Sequence, residues 1–244
     1  MGARKKIGML LVKLGVGAGL ILWLVEKVNW SVVLEKLADI SPVFIVLYIV
    51  FQLAGNVISA RKWQTIASHK HQELMFTVKE GFFTYLTGAF INNFLPSTIG
   101  GDAYRGLWLA QKTEAKAASL STVVFDRFIG LWTTALLALF CSMPLWKYFF
   151  TDTAFRLTML ALVLFLLVDL FVTYAYFQPW FHRMLAWLPF KLQRLIQEVI
   201  GFTKKGIWTI GSLYSVLFAL VGIALSNWML FHALGSPVDF FSFL

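Results

Sequence analysis

The sequence is divided into apolar runs close to the thickness of a bilayer, parted by short connections rich in lysine and arginine. Four of them are plain: Pro42 to about Ser59, Ser121 to about Leu145, Ala154 to Phe177, and Gly206 to about Leu234. A fifth follows Arg4, Lys5 and Lys6 and extends to about Val25. About 20 apolar residues coiled as an α-helix cross the hydrocarbon core, and a helix satisfies its own backbone polar groups where no water can. Hydrophobic residues make up 59% of the 244 and charged ones only 14%, where soluble domains carry about 25% charged. The chain is therefore expected to be all-α, a polytopic helical membrane protein read as one transmembrane domain over 1–244.

The connections set the expected topology. The N-terminal run lacks a small-residue cleavage site and passes directly into Glu26 and Lys27, so it reads as a retained helix and not a signal peptide. Asn29 to Ser41 spaces Trp30, Val33, Leu34, Leu37 and Ile40 helically against Glu35, Lys36 and Asp39, the pattern of a helix lying in the outer interface. Arg61-Lys62 close the second run, and His182 to Lys205 is basic and amphipathic. With those segments on one side, Lys27, Lys36, Lys147 and Arg156 remain on the other. The positive-inside rule then predicts a multi-pass membrane protein with a cytoplasmic N-terminus. The formal charge of +9 is spread between apolar runs, so the expected partner is anionic lipid and not nucleic acid. Trp23, Trp30, Trp63, Trp146, Trp180 and Trp187 fall near predicted run ends and read as interfacial anchors.

One apolar run is broken. Gly81 to Leu95 is too short to span, Pro96 to Asp102 interrupts it, and Ala103 to Ala110 resumes a helical pattern. Basic residues flank both ends, with Arg61, Lys62, Lys70 and Lys79 before and Arg105, Lys112 and Lys116 after. If both flanks share one side, the segment turns back. The expected architecture is about five transmembrane helices plus one re-entrant helical hairpin at about 81–110.

The tip of that hairpin, N-N-F-L-P-S-T-I-G-G-D-A-Y-R over residues 92–105, concentrates polar groups in an apolar setting. Non-helical backbone at membrane depth is tolerated where protein covers it or it lines a wet cavity. Gly100 and Gly101 let backbone approach a ligand and can aim N–H groups at an anion. Asp102 is placed to cap the following half-helix, whose positive end favours anions. Arg105 can meet a lipid phosphate bidentately, with Asn92, Asn93, Pro96 and Ser97 around the same tip. A Pro/Gly turn between packed helices, with Asp102 and Arg105 paired, explains the same spacing.

Three charges remain inside apolar runs. Asp126 and Arg127 point about 100° apart on a helix, so each needs a partner elsewhere, with Asp102 or Glu80 expected for Arg127. Asp169 would cost about 2.5–3.5 kcal/mol unpaired near a helix centre, so it should face the bundle, in a structural hydrogen bond or an intramembrane polar path. His69 and His71 form an H-x-H pair with no third ligand at recognisable spacing, so no metal site is expected. No Gly-rich nucleotide loop and no nucleophile–base constellation is present, and neither a cofactor nor a catalytic residue is expected.

The motif at 92–105, followed by V-V-F-D-R-F-I-G-L at 123–131, resembles the lysylphosphatidylglycerol synthase transmembrane (flippase-like) family. The resemblance implies an integral inner-membrane protein that moves anionic phospholipid, phosphatidylglycerol-like or aminoacylated, or that helps modify phospholipids or polyprenyl-linked sugars. Partners would be membrane lipids, with a membrane enzyme or a second copy as protein partner. Relatives that transfer lysine to phosphatidylglycerol use a separate soluble domain, which this sequence does not carry. A second Pro/Gly/Glu motif usual further along in the family is also absent before Leu244, and the chain reads as a short or C-terminally truncated member.

Overall fold

The computed structural model describes residues 15, 17, 19–70, 74–94, 99–113, 115–202, 206–236 and 238–243. Among them the chain is all helical, without strands. Residues 19–27 are helical, and the rest of the expected first span lies outside the described residues. In order follow α1 (Trp30–Ala38), α2 (Pro42–Lys70), α3 (Val78–Phe94), α4 (Ile99–Thr113), α5 (Lys116–Cys141), α6 (Thr153–Tyr176), α7 (Pro179–Leu185), α8 (Phe190–Ile200), α9 (Ile207–Phe218) and α10 (Ser226–Ala233). A π-helical segment, Ala219–Leu225, joins α9 to α10 without a break in the rod.

Four segments are long and apolar enough to cross a membrane: Pro42–His69, Lys116–Cys141, Thr153–Val172 and Ile207–Ala233. The chain is a multi-pass helical membrane protein. α2 is the hub, touching α3, α5, α9, the π segment and α10. Gly55 and Gly222 let α2 and the π segment approach closely, since a Cβ on Gly55 would stand 2.8 Å from the Gly222 Cα. The second face of α5 is closed by aromatic packing, with Phe125 stacked on Phe202 at 4.5 Å and Trp208 edge-on to Phe125, Phe128 and Trp132.

α3 and α4 form the expected hairpin. At 17 and 15 residues and 1.5 Å per residue, neither reaches across an apolar core of ~30 Å. Their contacts pair Glu80 with Lys112, Tyr85 with Arg105, Gly88 with Gly101 and Asn92 with Gly101. One partner's number rises as the other falls, so the two helices are antiparallel. α4 lies against α5, and α3 against α2.

Three expectations are corrected. Arg61-Lys62 do not close the second span, because α2 continues through them to Lys70; both are good helix formers, and Lys62 is buried because a carboxylate faces it. The break before α4 does not extend to Asp102, because the helix begins at Ile99 and holds Gly100, Gly101 and Asp102 in its first turn. Asp102 is thus no N-cap, and the glycines do not form an open anion-binding loop. Trp63 is no interfacial anchor: it is fully buried and donates its indole N–H to Thr122 Oγ1 at 3.0 Å.

Candidate functional site

Four helices each turn a polar face to one point. On α2, Asn56, Ser59 and Lys62 recur every third residue; on α3, Tyr85, Gly88, Ala89 and Asn92 follow the same helical register. α4 adds Gly101, Asp102 and Arg105, and α5 adds Asp126, Arg127, Gly130 and Thr134. Together with Ser215 on α9 they line a cavity of about 620 Å³.

Its charged groups alternate in sign along a chain of contacts. Lys62 Nζ lies 2.9 Å from Asp126 Oδ1. Arg105 Nη2 donates to Asp126 Oδ2 at 2.8 Å, and its Nη1 reaches Asp102 Oδ1 at 3.3 Å. Arg127 then grips Asp102 through both carboxylate oxygens, Nε to Oδ2 and Nη2 to Oδ1, each at 2.7 Å. Tyr85 donates its hydroxyl to Asp126 Oδ2 at 2.7 Å, and Lys62 Nζ donates also to the Asp126 carbonyl and to Ser215 Oγ, both at 3.3 Å.

Arg105 is enclosed. Its guanidinium carbon lies 3.7 Å from the centre of the Tyr85 ring and 4.6 Å from that of Trp63, and the side chain is 2% exposed. A cation over aromatic faces gains electrostatic attraction that strengthens as water is removed. Arg127 differs: its side chain is 52% exposed, so it is the cation that a group arriving from outside can reach. Lys62, Arg105 and Arg127 stand against Asp102 and Asp126, three positive charges to two negative. Arg105 Nε has no hydrogen-bond partner among the described residues.

The glycines act by permitting contact. A Cβ on Gly101 would stand 2.4 Å from the Gly88 carbonyl oxygen, so the residue is Gly because α3 and α4 touch there. The Gly101 N–H donates to Asn92 Oδ1 at 2.7 Å, which gives that early, otherwise unpaired helical donor an acceptor.

The structure thus brings Asn92, Gly101, Asp102, Arg105, Asp126 and Arg127 to one cavity. Asn93 is exposed and Gly100 half-buried, neither forming part of its wall; Pro96 and Ser97 lie outside the described residues. Of Arg127's two expected partners, Asp102 is the one it meets. Glu80 pairs with Lys112 at the mouth of the hairpin. Asp169 lies apart, in a separate groove lined by Trp132, Leu136 and Leu170 among others. His71 is outside the described residues, and those described hold no cluster of three His, Cys, Asp or Glu side chains able to hold a metal. Lys62, Tyr85 and Ser215 in the charge network, and Asn56, Ser59 and Thr134 in the wall, are site residues that sequence reading passed over; the every-third-residue polar stripe Asn56, Ser59, Lys62 was the available signal.

The family model described as the lysylphosphatidylglycerol synthase TM region matches residues 10–244, and the chain belongs to that family. A curated relative, the UPF0104 membrane protein MJ1595 of Methanocaldococcus jannaschii, is 30% identical over 111 residues, 45% of this chain and 32% of the relative. The match therefore covers about a third of that relative's length. No solved structure matches the chain.

Proposed function

We propose that this member of the lysylphosphatidylglycerol synthase TM family binds the headgroup of an anionic phospholipid, phosphatidylglycerol-like or aminoacylated, in the cavity between its hairpin and α2, α5 and α9, and moves it across the bilayer. The observation that carries the reading is the unbalanced charge of the wall, three cations to two carboxylates. A charge within a membrane protein's polar cavity is ordinarily paired, and an anionic group supplies the partner that the surplus cation lacks. Arg127 is the entry contact, since its fork is exposed and matches a phosphate as well as it matches Asp102. Neutral groups on Asn56, Ser59, Asn92 and Thr134 line the remaining wall.

We place the protein in the bacterial plasma membrane with its N-terminus inside. Lys112, Lys116, Arg183, Lys191 and Arg194 gather on the proposed inner side, against Lys27, Lys36, Lys147 and Arg156 on the other. An accessory role beside a membrane enzyme is the second reading; the separate groove at Asp169 favours it.

The test is lipid movement in vesicles holding the purified chain, with fluorescent phosphatidylglycerol beside a phosphatidylcholine control. Arg127→Ala is the variant to use, because Arg105→Ala would leave Asp126 short of a buried partner and destabilise the fold. Faster movement of phosphatidylglycerol than of the control, lost in Arg127→Ala, supports transport. Equal rates with and without folded protein would sink it.

A further inference from the structure

The second cavity, about 550 Å³, is built differently from the first. It is a groove between α5 and α6 whose walls follow helical spacing: Trp132, Leu136 and Leu139 on one side, Val163, Leu166 and Leu170 on the other. Trp208 of α9 also lines it, edge-on to Trp132 at 5.4 Å. Asp169 is the single charged residue of this lining. The carboxylate has neither a hydrogen bond nor an ion pair among the described residues.

α6 itself is thinly covered. Only 6% of its apolar window is buried inside the protein, against 17% for the α2 span and 33% for each of the other two. Lipid tails can cover the leucines of such a face but offer nothing to a carboxylate. An acid at membrane depth is ordinarily paired with a cation or a hydrogen-bonding group. A parallel-walled apolar groove lined at i, i+3/i+4 and i+7 is the form that receives another helix. The buried basic residues of this chain's own core, Lys62 and Arg105, already face Asp126.

We propose that the α5–α6 groove receives a transmembrane helix of a partner protein, and that this helix carries an arginine or lysine at the depth of Asp169. The partner's apolar side chains seat between Leu136, Leu139, Val163 and Leu166, and its cation meets the Asp169 carboxylate beside Trp132. The site is separate from the headgroup cavity, so the two readings stand or fall independently.

The probe is a synthetic leucine-rich transmembrane peptide with one arginine set at the level of Asp169, beside an all-leucine version. The full chain, labelled at its sole cysteine, Cys141 on α5, is placed in phosphatidylcholine vesicles, and energy transfer to the labelled peptide reads association. The arginine peptide should bind about threefold to tenfold more tightly than the leucine peptide, the range of a single polar contact between membrane helices. Asp169→Asn and Asp169→Leu should each abolish that preference. Equal binding of the two peptides to the unaltered chain overturns the proposal without relying on any variant's folding. So does a preference that survives in Asp169→Leu. Self-association of the chain that depends on Asp169 without added peptide would assign the groove to a second copy. Displacement of the chain's lipid by dodecyltrimethylammonium, with no peptide binding, would assign it to a small cationic amphiphile. Either result also overturns the proposal.

Discussion

Arg127 on α5 and Asp102 on α4 meet fork to fork, with both Nε–Oδ2 and Nη2–Oδ1 at 2.7 Å. The pair is at once a clamp, holding the hairpin to α5, and a lock, occupying the donors that an incoming phosphate would need. On the proposed function, a phosphate ligand would compete with Asp102 for the same two N–H groups.

Asp102→Asn should therefore separate the two roles. The amide keeps a hydrogen bond to Arg127 but removes the charge that competes with an anion, while Arg105 retains Asp126. Equilibrium binding of phosphatidylglycerol in mixed micelles should tighten about fivefold, the worth of roughly 1 kcal/mol. Stability should fall by no more than about 1 kcal/mol, since Arg127 is largely exposed. Weaker binding in this variant would show that Asp102 belongs to the ligand's coordination and is not its rival.

Gly101→Ala tests the hairpin's packing. The added methyl would come 2.4 Å from the Gly88 carbonyl oxygen and 2.8 Å from Asn92 Nδ2, and a carbonyl in a packed helix cannot step aside. α3 and α4 must separate, at a cost of about 1–3 kcal/mol. Gly88→Ala should cost less, its methyl meeting the Gly101 carbonyl oxygen at 3.1 Å. Thermal unfolding of the three proteins in one detergent gives the order; a Gly88 variant less stable than the Gly101 variant would contradict the contact.

The mouth of the hairpin is pH-sensitive on the acid side. Lys112 beside Glu80, with the Thr77 N–H, holds the Glu80 carboxyl down at about 2, against an ordinary value of about 4.3. Because the folded value is the lower one, this tie is fully present at neutral pH and is lost as pH falls from about 4.3 through about 2. Glu80→Gln should flatten the decline in melting temperature over that interval and leave the neutral value nearly unchanged, the pair being solvent-exposed. A decline as steep in Glu80→Gln would assign the acid sensitivity to other carboxylates.

How far the sequence could be read follows from what each residue needs for its meaning to appear. Run lengths foretold the apolar spans, and the short halves around Pro96 foretold the hairpin, because bilayer thickness constrains both. The partner of Arg127 was narrowed to two acids, because a charge in an apolar run demands one. Lys62 and Trp63 were misread for a single reason: next to Arg61, they look like the end of a span. Only the fold shows Asp126 opposite Lys62 and Arg105 opposite Trp63. Gly100-Gly101 looked like a loop for an anion, because a glycine kept for helix contact has the same appearance in one dimension.

Lys62 supplies the strictest check on the cavity. Its ammonium ties α2 to the Asp126 carboxylate and carbonyl on α5 and to Ser215 on α9. Lys62→Met keeps the length and apolar stem of the side chain but leaves Asp126 with Arg105 and Tyr85 alone. Removing one partner from a buried ion pair costs about 3–5 kcal/mol; here the two remaining partners should hold the loss near the lower figure. The variant also leaves two cations against two carboxylates in the wall, so the excess charge on which the proposed anion binding rests disappears. Phosphatidylglycerol binding should fall at least tenfold, whereas Ser215→Ala, which removes one neutral hydrogen bond, should cost only about 1 kcal/mol of stability and leave binding within a factor of a few. Binding that survives in a folded Lys62→Met protein would show that charge balance in this cavity does not select the ligand.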